Sequence, residues 1–129
     1  MNKLVSKHLF AIHSMLTDNG TPLSEERWQV LNDVAAAPFR QNENYYYIYR
    51  SVAAKAAKLG CEMVKRKPFE QQNELTAVVA ALTMLEVNGI RLADYRKDID
   101  TLRACFASND VTGAEAWLEQ HRQAGTDCC

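Results

Sequence analysis

The chain is poor in the residues that interrupt regular structure. It has 5 Gly and 3 Pro in 129 residues, well under average usage, which excludes collagen-like, linker-rich and turn-rich all-β organisation. Isoleucine is scarce at 4 residues, whereas alanine, the strongest helix former, is the commonest residue at 17. An excess of one charge sign is also lacking. Lys and Arg total 15 against 16 Asp and Glu, so the basic footprint of a nucleic-acid binder is missing and no nucleic-acid partner is expected. No apolar run approaches the ~20 residues needed to span a bilayer. The longest, Leu75 to Leu85, is interrupted by Thr76 and Thr83. The stretch Met1 to His8 has none of the apolar character of a signal peptide. A cytoplasmic protein with no membrane partner is the expectation.

Cysteine is present but not in patterns that carry chemistry. Cys61 and Cys105 stand alone, without CxxC spacing or a neighbouring His pair, and read as small apolar core residues. Cys128 and Cys129 close the chain and read as part of an exposed tail. His8 and His13 are five apart and do not share a helix face, and His121 is far away, so no metal site is expected. What is there is ordinary globular composition, 47% apolar and 24% charged. The length suits one domain, expected over residues 1–124, with 125–129 a flexible C-terminal tail.

Periodicity predicts an all-α bundle. Helix one is expected from Leu4 to Leu16, stopped by Asn19-Gly20-Thr21-Pro22. Ser24 reads as the N-cap of helix two, which runs to about Ala36 with Trp28, Leu31 and Ala35 inward, and Pro38 breaks it. Gln41 to Asn44 reads as a loop. Helix three carries an apolar stripe Tyr45, Tyr49, Val52, Ala56, Leu59, Met63, with Lys55, Lys58 and Glu62 expected on the solvent side. Lys65-Arg66-Lys67 closes it, with positive charge at the negative end of the helix dipole. Helix four is expected from about Asn73 to Val87. Nine of the eleven residues from Leu75 to Leu85 are apolar, so it should pack centrally, ending at Asn88-Gly89. Helix five is expected over Ala93 to Ala107, and a last helix, capped by Thr112, through Trp117, Leu118 and His121. The two Trp read as helix-packing residues.

The informative segment joins helices three and four: Lys65-Arg66-Lys67-Pro68-Phe69-Glu70-Gln71-Gln72-Asn73-Glu74-Leu75-Thr76-Ala77, closing with Asn88-Gly89. It resembles the core motif of the Fic/Doc family, in particular the short death-on-curing toxins of bacteria and phage, which reads H-x-F-x-(D/E)-(G/A)-N-(K/G)-R. Leu9 to His13 also resembles the first helix of those toxins, and the length and helix order agree. The resemblance implies a Fic/Doc-like helical bundle with Phe69 buried at the start of a centrally packed helix four. Phe69 would pin the loop into the core, and Asn73 would sit in the anion-binding loop with Gln72 and Glu74 beside it.

The family's chemical positions are substituted. Lys67 stands where the family has its His general base, and an ordinary lysine is a cation at neutral pH that cannot accept a proton. Gln71 replaces the carboxylate that holds Mg²⁺, and a neutral amide is a poor ligand for that hard cation. Leu75 replaces the phosphate-clamping Arg. Glu74 suits the helix dipole but repels a phosphate at the same place. Losing a general base alone typically costs about 10²–10⁴-fold. The reading that follows is a catalytically degenerate relative of the toxin–antitoxin transferases that acts through a protein partner, an antitoxin or a translation-related target, with self-association left open and no cofactor. An alternative is a divergent enzyme using ATP and Mg²⁺, with Glu70 as base or metal ligand and AMP or phosphate transferred to a protein hydroxyl. A third is an unrelated helical interaction module.

Overall fold

A computed structural model describes residues 1–18 and 22–123. Six α-helices account for the described fold, and the expected all-α class is what the chain adopts. The tail expected at 125–129, with Cys128 and Cys129, and the Asn19 to Thr21 part of the first stop lie outside the described residues.

Helix α1 spans Ser6–Thr17 and buries Leu9 and His13, one helical turn apart. It ends on Asp18 in the left-handed conformation. Helix α2 spans Glu25–Ala36. Ser24 caps it as expected, its hydroxyl accepting from the Arg27 N–H, and Glu25 and Glu26 occupy the positive first turn. A 3-10 turn, Ala37–Phe39, follows with Pro38 buried. Helix α3 is Val52–Arg66, helix α4 Asn73–Val87, helix α5 Ile99–Ala107 and helix α6 Val111–Gln120.

α3 packs on α2, α4, α5, α6 and the Pro38 turn, while α4 packs on α1, α3 and α5. These two helices make the centre. The reason is side-chain size. Ala53, Ala54, Ala56, Ala57 and Gly60 give α3 almost no bulk, so neighbours approach on every side. A Cβ at Gly60 would overlap the ring of the buried Phe106, so glycine sets the α3–α5 approach. α4 buries Ala77, Val78, Ala80, Ala81, Met84 and Leu85, consistent with its nearly continuous apolar run. Gly89, at φ 81°, provides its left-handed exit. Asn88 then ties the N-terminus down. Its Oδ1 accepts from the Asn2 N–H at 2.8 Å, and its Nδ2 donates to the Asn2 carbonyl at 3.0 Å.

Four expectations need correction. Helix three does not begin at Tyr45. The stretch 41–50 is a tight turn instead, in which Asn42 Oδ1 accepts from the Asn44 and Tyr46 N–H groups, and Ser51 caps the helix by accepting from Ala54 N–H. Nor do Lys55 and Glu62 face solvent, since both are buried because α3 is wrapped on all sides. Lys55 Nζ donates to the carbonyls of Tyr49 at 2.6 Å and Arg50 at 3.0 Å, and it lies 4.4 Å from the centre of the Tyr47 ring. Glu62 is neutralised by Lys58 at 2.7 Å. Finally, α5 begins at Ile99 rather than Ala93, because Asp94 takes a left-handed φ of 52° and only a short 3-10 turn, Arg96–Asp98, precedes it. Asp110, not Thr112, caps α6.

Candidate functional site

The α3–α4 loop is built from both of its ends. Lys67 closes α3 in the left-handed conformation, φ 47°, its N–H bonded to the Met63 carbonyl. Gln72 opens α4 in the same conformation, φ 61°. Left-handed residues other than glycine cost about 1 kcal/mol or more each, so other contacts must hold the segment between them. Phe69 supplies one, being 2% exposed, and full burial of a ring this size stabilises by roughly 1.5–3 kcal/mol. Asn73 supplies the second. Its amide reaches back four residues, accepting from the Phe69 N–H at 3.0 Å and donating to the Phe69 carbonyl at 2.8 Å. One side chain thereby satisfies both backbone polar groups of the buried residue, which helical structure cannot do there.

The N-terminal helices hold the other face of the loop. The His13 ring lies flat on Phe69, with centroids 3.8 Å apart and planes 4° apart. His13 Nε2 is 3.0 Å from the Gln71 carbonyl, which can only accept, so Nε2 carries the proton. Arg27 Nη1 donates to the Pro68 carbonyl at 3.2 Å. Thus Pro68 and Gln71 are each fixed through the backbone by a side chain distant in sequence, and Phe69 by its near neighbour Asn73.

The residues singled out in the sequence separate into two groups. Phe69 and Asn73 meet and form the brace. Lys67, Glu70, Gln71 and Gln72 are exposed, and Leu75 is 41% exposed. No hydrogen bond or ion pair joins the side chains of Lys67, Glu70, Gln71 and Leu75 to one another among the described residues. Glu74 turns toward α5, where Arg103 Nε binds it at 2.9 Å. Of the basic run, Arg66 is drawn to Asp33 on α2 at 3.3 Å, so the three positive side chains do not converge on the loop. Arg27 was not legible as a site residue, because nothing in its spacing marks it. His13 had a signal, since it lies one turn after Leu9 on the inward face of α1.

The arrangement offers binding surface more than reactivity. Glu70 is the loop's single carboxylate between Lys67 and Asn73, and among the described residues no three His, Cys, Asp or Glu side chains gather where they could hold a metal ion. The donor set therefore does not fit Mg²⁺, which takes carboxylates and substrate phosphates. The two described thiols, Cys61 and Cys105, are held in their protonated form. Burial pushes Cys61 up to about 12 and also raises Cys105, leaving little thiolate at neutral pH. Beside the loop, a cleft of about 370 Å³ opens between Phe10 and His13 of α1, Leu23 and Arg27 at the start of α2, and Phe69 and Glu70. Among the described residues, no helix is long and apolar enough to cross a membrane. No protein-family profile, curated protein or solved structure matches the chain.

Proposed function

We propose that the chain is a Fic/Doc-like domain that has lost nucleotide chemistry and works by binding a protein, such as an antitoxin-like or translation-related partner, through the exposed face of the α3–α4 loop. One observation carries this reading. The scaffold of the loop is fully engaged, with Phe69 buried and both its backbone polar groups bonded to Asn73. The positions where the family has base, metal ligand and phosphate clamp hold Lys67, Gln71 and Leu75, all turned to solvent. A braced backbone presenting outward side chains is a preorganised surface, and ordering is already complete before a partner arrives. Burial of Phe69 at the start of a helix packed on three sides supports the family reading over an unrelated module.

Isothermal titration with ATP and Mg²⁺ tests the absence of chemistry. The expected result is no heat of binding and no label passed from ATP to protein hydroxyls in lysate. Micromolar binding followed by label transfer overturns it and favours the divergent enzyme with Glu70 as its carboxylate. The family reading has its own test. Combining Lys67→His, Gln71→Asp, Gln72→Gly, Glu74→Lys and Leu75→Arg should restore ATP and Mg²⁺ binding on this backbone. A folded variant that still ignores nucleotide removes the resemblance.

A further inference from the structure

We propose that the cleft behind the Phe69 loop is a binding site for a small carboxylate bearing a compact apolar group, with Arg27 as its anchor. The inference stands on the cleft itself and does not depend on the family reading or on a protein partner.

The cleft mixes apolar and polar surface about equally, and a small-molecule site uses both. Phe10, Leu23 and Phe69 are on its apolar side, with Ser24 and Gln71 among its polar lining. Behind Phe10, the Trp28 ring packs with centroids 5.1 Å apart, and behind Phe69 lies the His13 stack at 3.8 Å. Both rings are thus packed against a second ring.

Arg27 supplies the recognition. Arg27 is half-buried, and among the described residues its one side-chain hydrogen bond is Nη1 to the Pro68 carbonyl. A guanidinium has five N–H donors, so four are left without a partner among the described residues. Arg66, Arg103 and Arg122 meet carboxylates, whereas Arg27, like the more exposed Arg40, Arg50 and Arg96, forms no ion pair among the described residues. Arg27 has no carboxylate within salt-bridge distance among the described residues, although Glu70 lines the same cleft. A half-buried arginine beside a cleft is an arrangement a carboxylate completes, since a planar fork binds two carboxylate oxygens at once. Glu70 at the rim disfavours a second negative charge and favours an ammonium. The shared chemistry is therefore a carboxylate next to an apolar side chain, present both in a free apolar amino acid and at the C-terminal residue of a peptide.

Occupancy has a structural consequence. The Arg27 group that would hold the ligand also holds the Pro68 carbonyl, and His13, which lines the cleft, holds the Gln71 carbonyl. A ligand in the cleft acts on both ends of the Pro68–Gln71 segment, so the loop surface and the cleft are coupled.

The test is an amide NMR titration of the full chain with leucine, N-acetylleucine and leucinamide, up to about 10 mM so that even millimolar affinity registers. Leucine and N-acetylleucine should shift the Leu23, Phe69 and Gln71 amide signals, and leucinamide, which lacks the carboxylate, should not. Leucine binding more tightly than N-acetylleucine identifies the free amino acid as the source, and the reverse order identifies a peptide terminus. Arg27→Gln should weaken binding by about tenfold or more. Should that variant fail to fold, Arg27→Lys, which keeps the charge and loses the fork, should bind more weakly than the native chain. Absence of shifts with both carboxylates, equal shifts with leucinamide, or undiminished binding in a folded Arg27 variant overturns the proposal.

Discussion

The two connections that flank α3 solve one problem in opposite ways. Both the 40–51 segment and the 67–72 loop leave the helical ladder, and both must satisfy backbone groups near the core. The first is secured by a buried cation. Lys55 reaches out of α3 to the Tyr49 and Arg50 carbonyls, leaving Tyr45 81% and Tyr46 63% exposed. The second is secured by a neutral amide and a ring, Asn73 on the Phe69 backbone and Phe69 under His13. A lysine delivers three donors and no acceptor, so it can satisfy only the acceptors of a segment, whereas an asparagine amide both donates and accepts. The first device holds a segment by its acceptors and leaves its aromatic side chains outside. The second holds a residue by donor and acceptor together and draws its side chain in.

The comparison can be broken. Phe69→Ala should have the largest effect, about 3–5 kcal/mol of lost stability by urea unfolding. Amide exchange should speed at 67–72 while Asn42 to Tyr46 keep their protection. Equal loss in both segments would show them to be one cooperative unit. Lys55→Met comes next, at about 1–3 kcal/mol, because two carbonyls lose their donor. Here the exchange pattern should reverse, with the 41–51 amides exposed and the loop unchanged.

The Lys55 and Lys58 pair sharpens the contrast through pH. Burial lowers the Lys55 pKa from 10.5. Below 10.5 the unfolded chain then binds the proton more readily than the native one, so stability rises as pH climbs from the folded value toward 10.5. For Lys58, burial acts downward, but the Glu62 hydrogen bond and charge, together with Tyr49, raise the pKa overall. Its contribution is fully present below 10.5 and is lost as pH rises through the higher folded value. Unfolding measured across the alkaline range should find native stability gaining on Lys55→Met with pH and losing ground to Lys58→Met at the top of the range. Parallel curves for the two variants would contradict the placement of one lysine among carbonyls and the other beside a carboxylate.

Asn73→Ala should cost about 1–2 kcal/mol, the value of two ordinary hydrogen bonds. It should loosen Phe69 without exposing the hairpin. Arg103→Gln is expected to be the mildest, under about 1 kcal/mol, since both Arg103 and Glu74 are nearly half exposed. Salt should erase that difference and leave the Asn73 effect intact.

Much of the local order was legible. Ser24 as a cap, Pro38 as a break, Lys67 as the end of one helix and Asn73 as the start of the next all follow from short-range chemistry, and all are observed. The misreading of Tyr45 to Arg50 came from spacing. Tyr45, Tyr49 and Val52 fit a helical stripe, yet Asn42 folds the backbone of 44–46 onto its own side chain and Ser51 restarts the helix. Aromatic and β-branched density in Tyr45 to Tyr49 was the available signal against helix. The candidate site was half legible. Phe69 and Asn73 stood out by their order in the loop, whereas Arg27 and the cleft did not, because they join residues some forty positions apart.

By itself the sequence determined the fold class, most helix ends and the lack of a base, carboxylate and arginine at three positions of one loop. These depend on residue type and near neighbours, through propensity, capping and the intrinsic acidity of each side chain. Tertiary structure alone decided that Lys55 and Glu62 lie inside and that Glu74 is neutralised from α5. It also decided that Arg27 lines a cleft with Phe10 and Phe69. Burial and charge pairing are set by which elements meet, and contact across forty residues leaves no periodic trace in a chain.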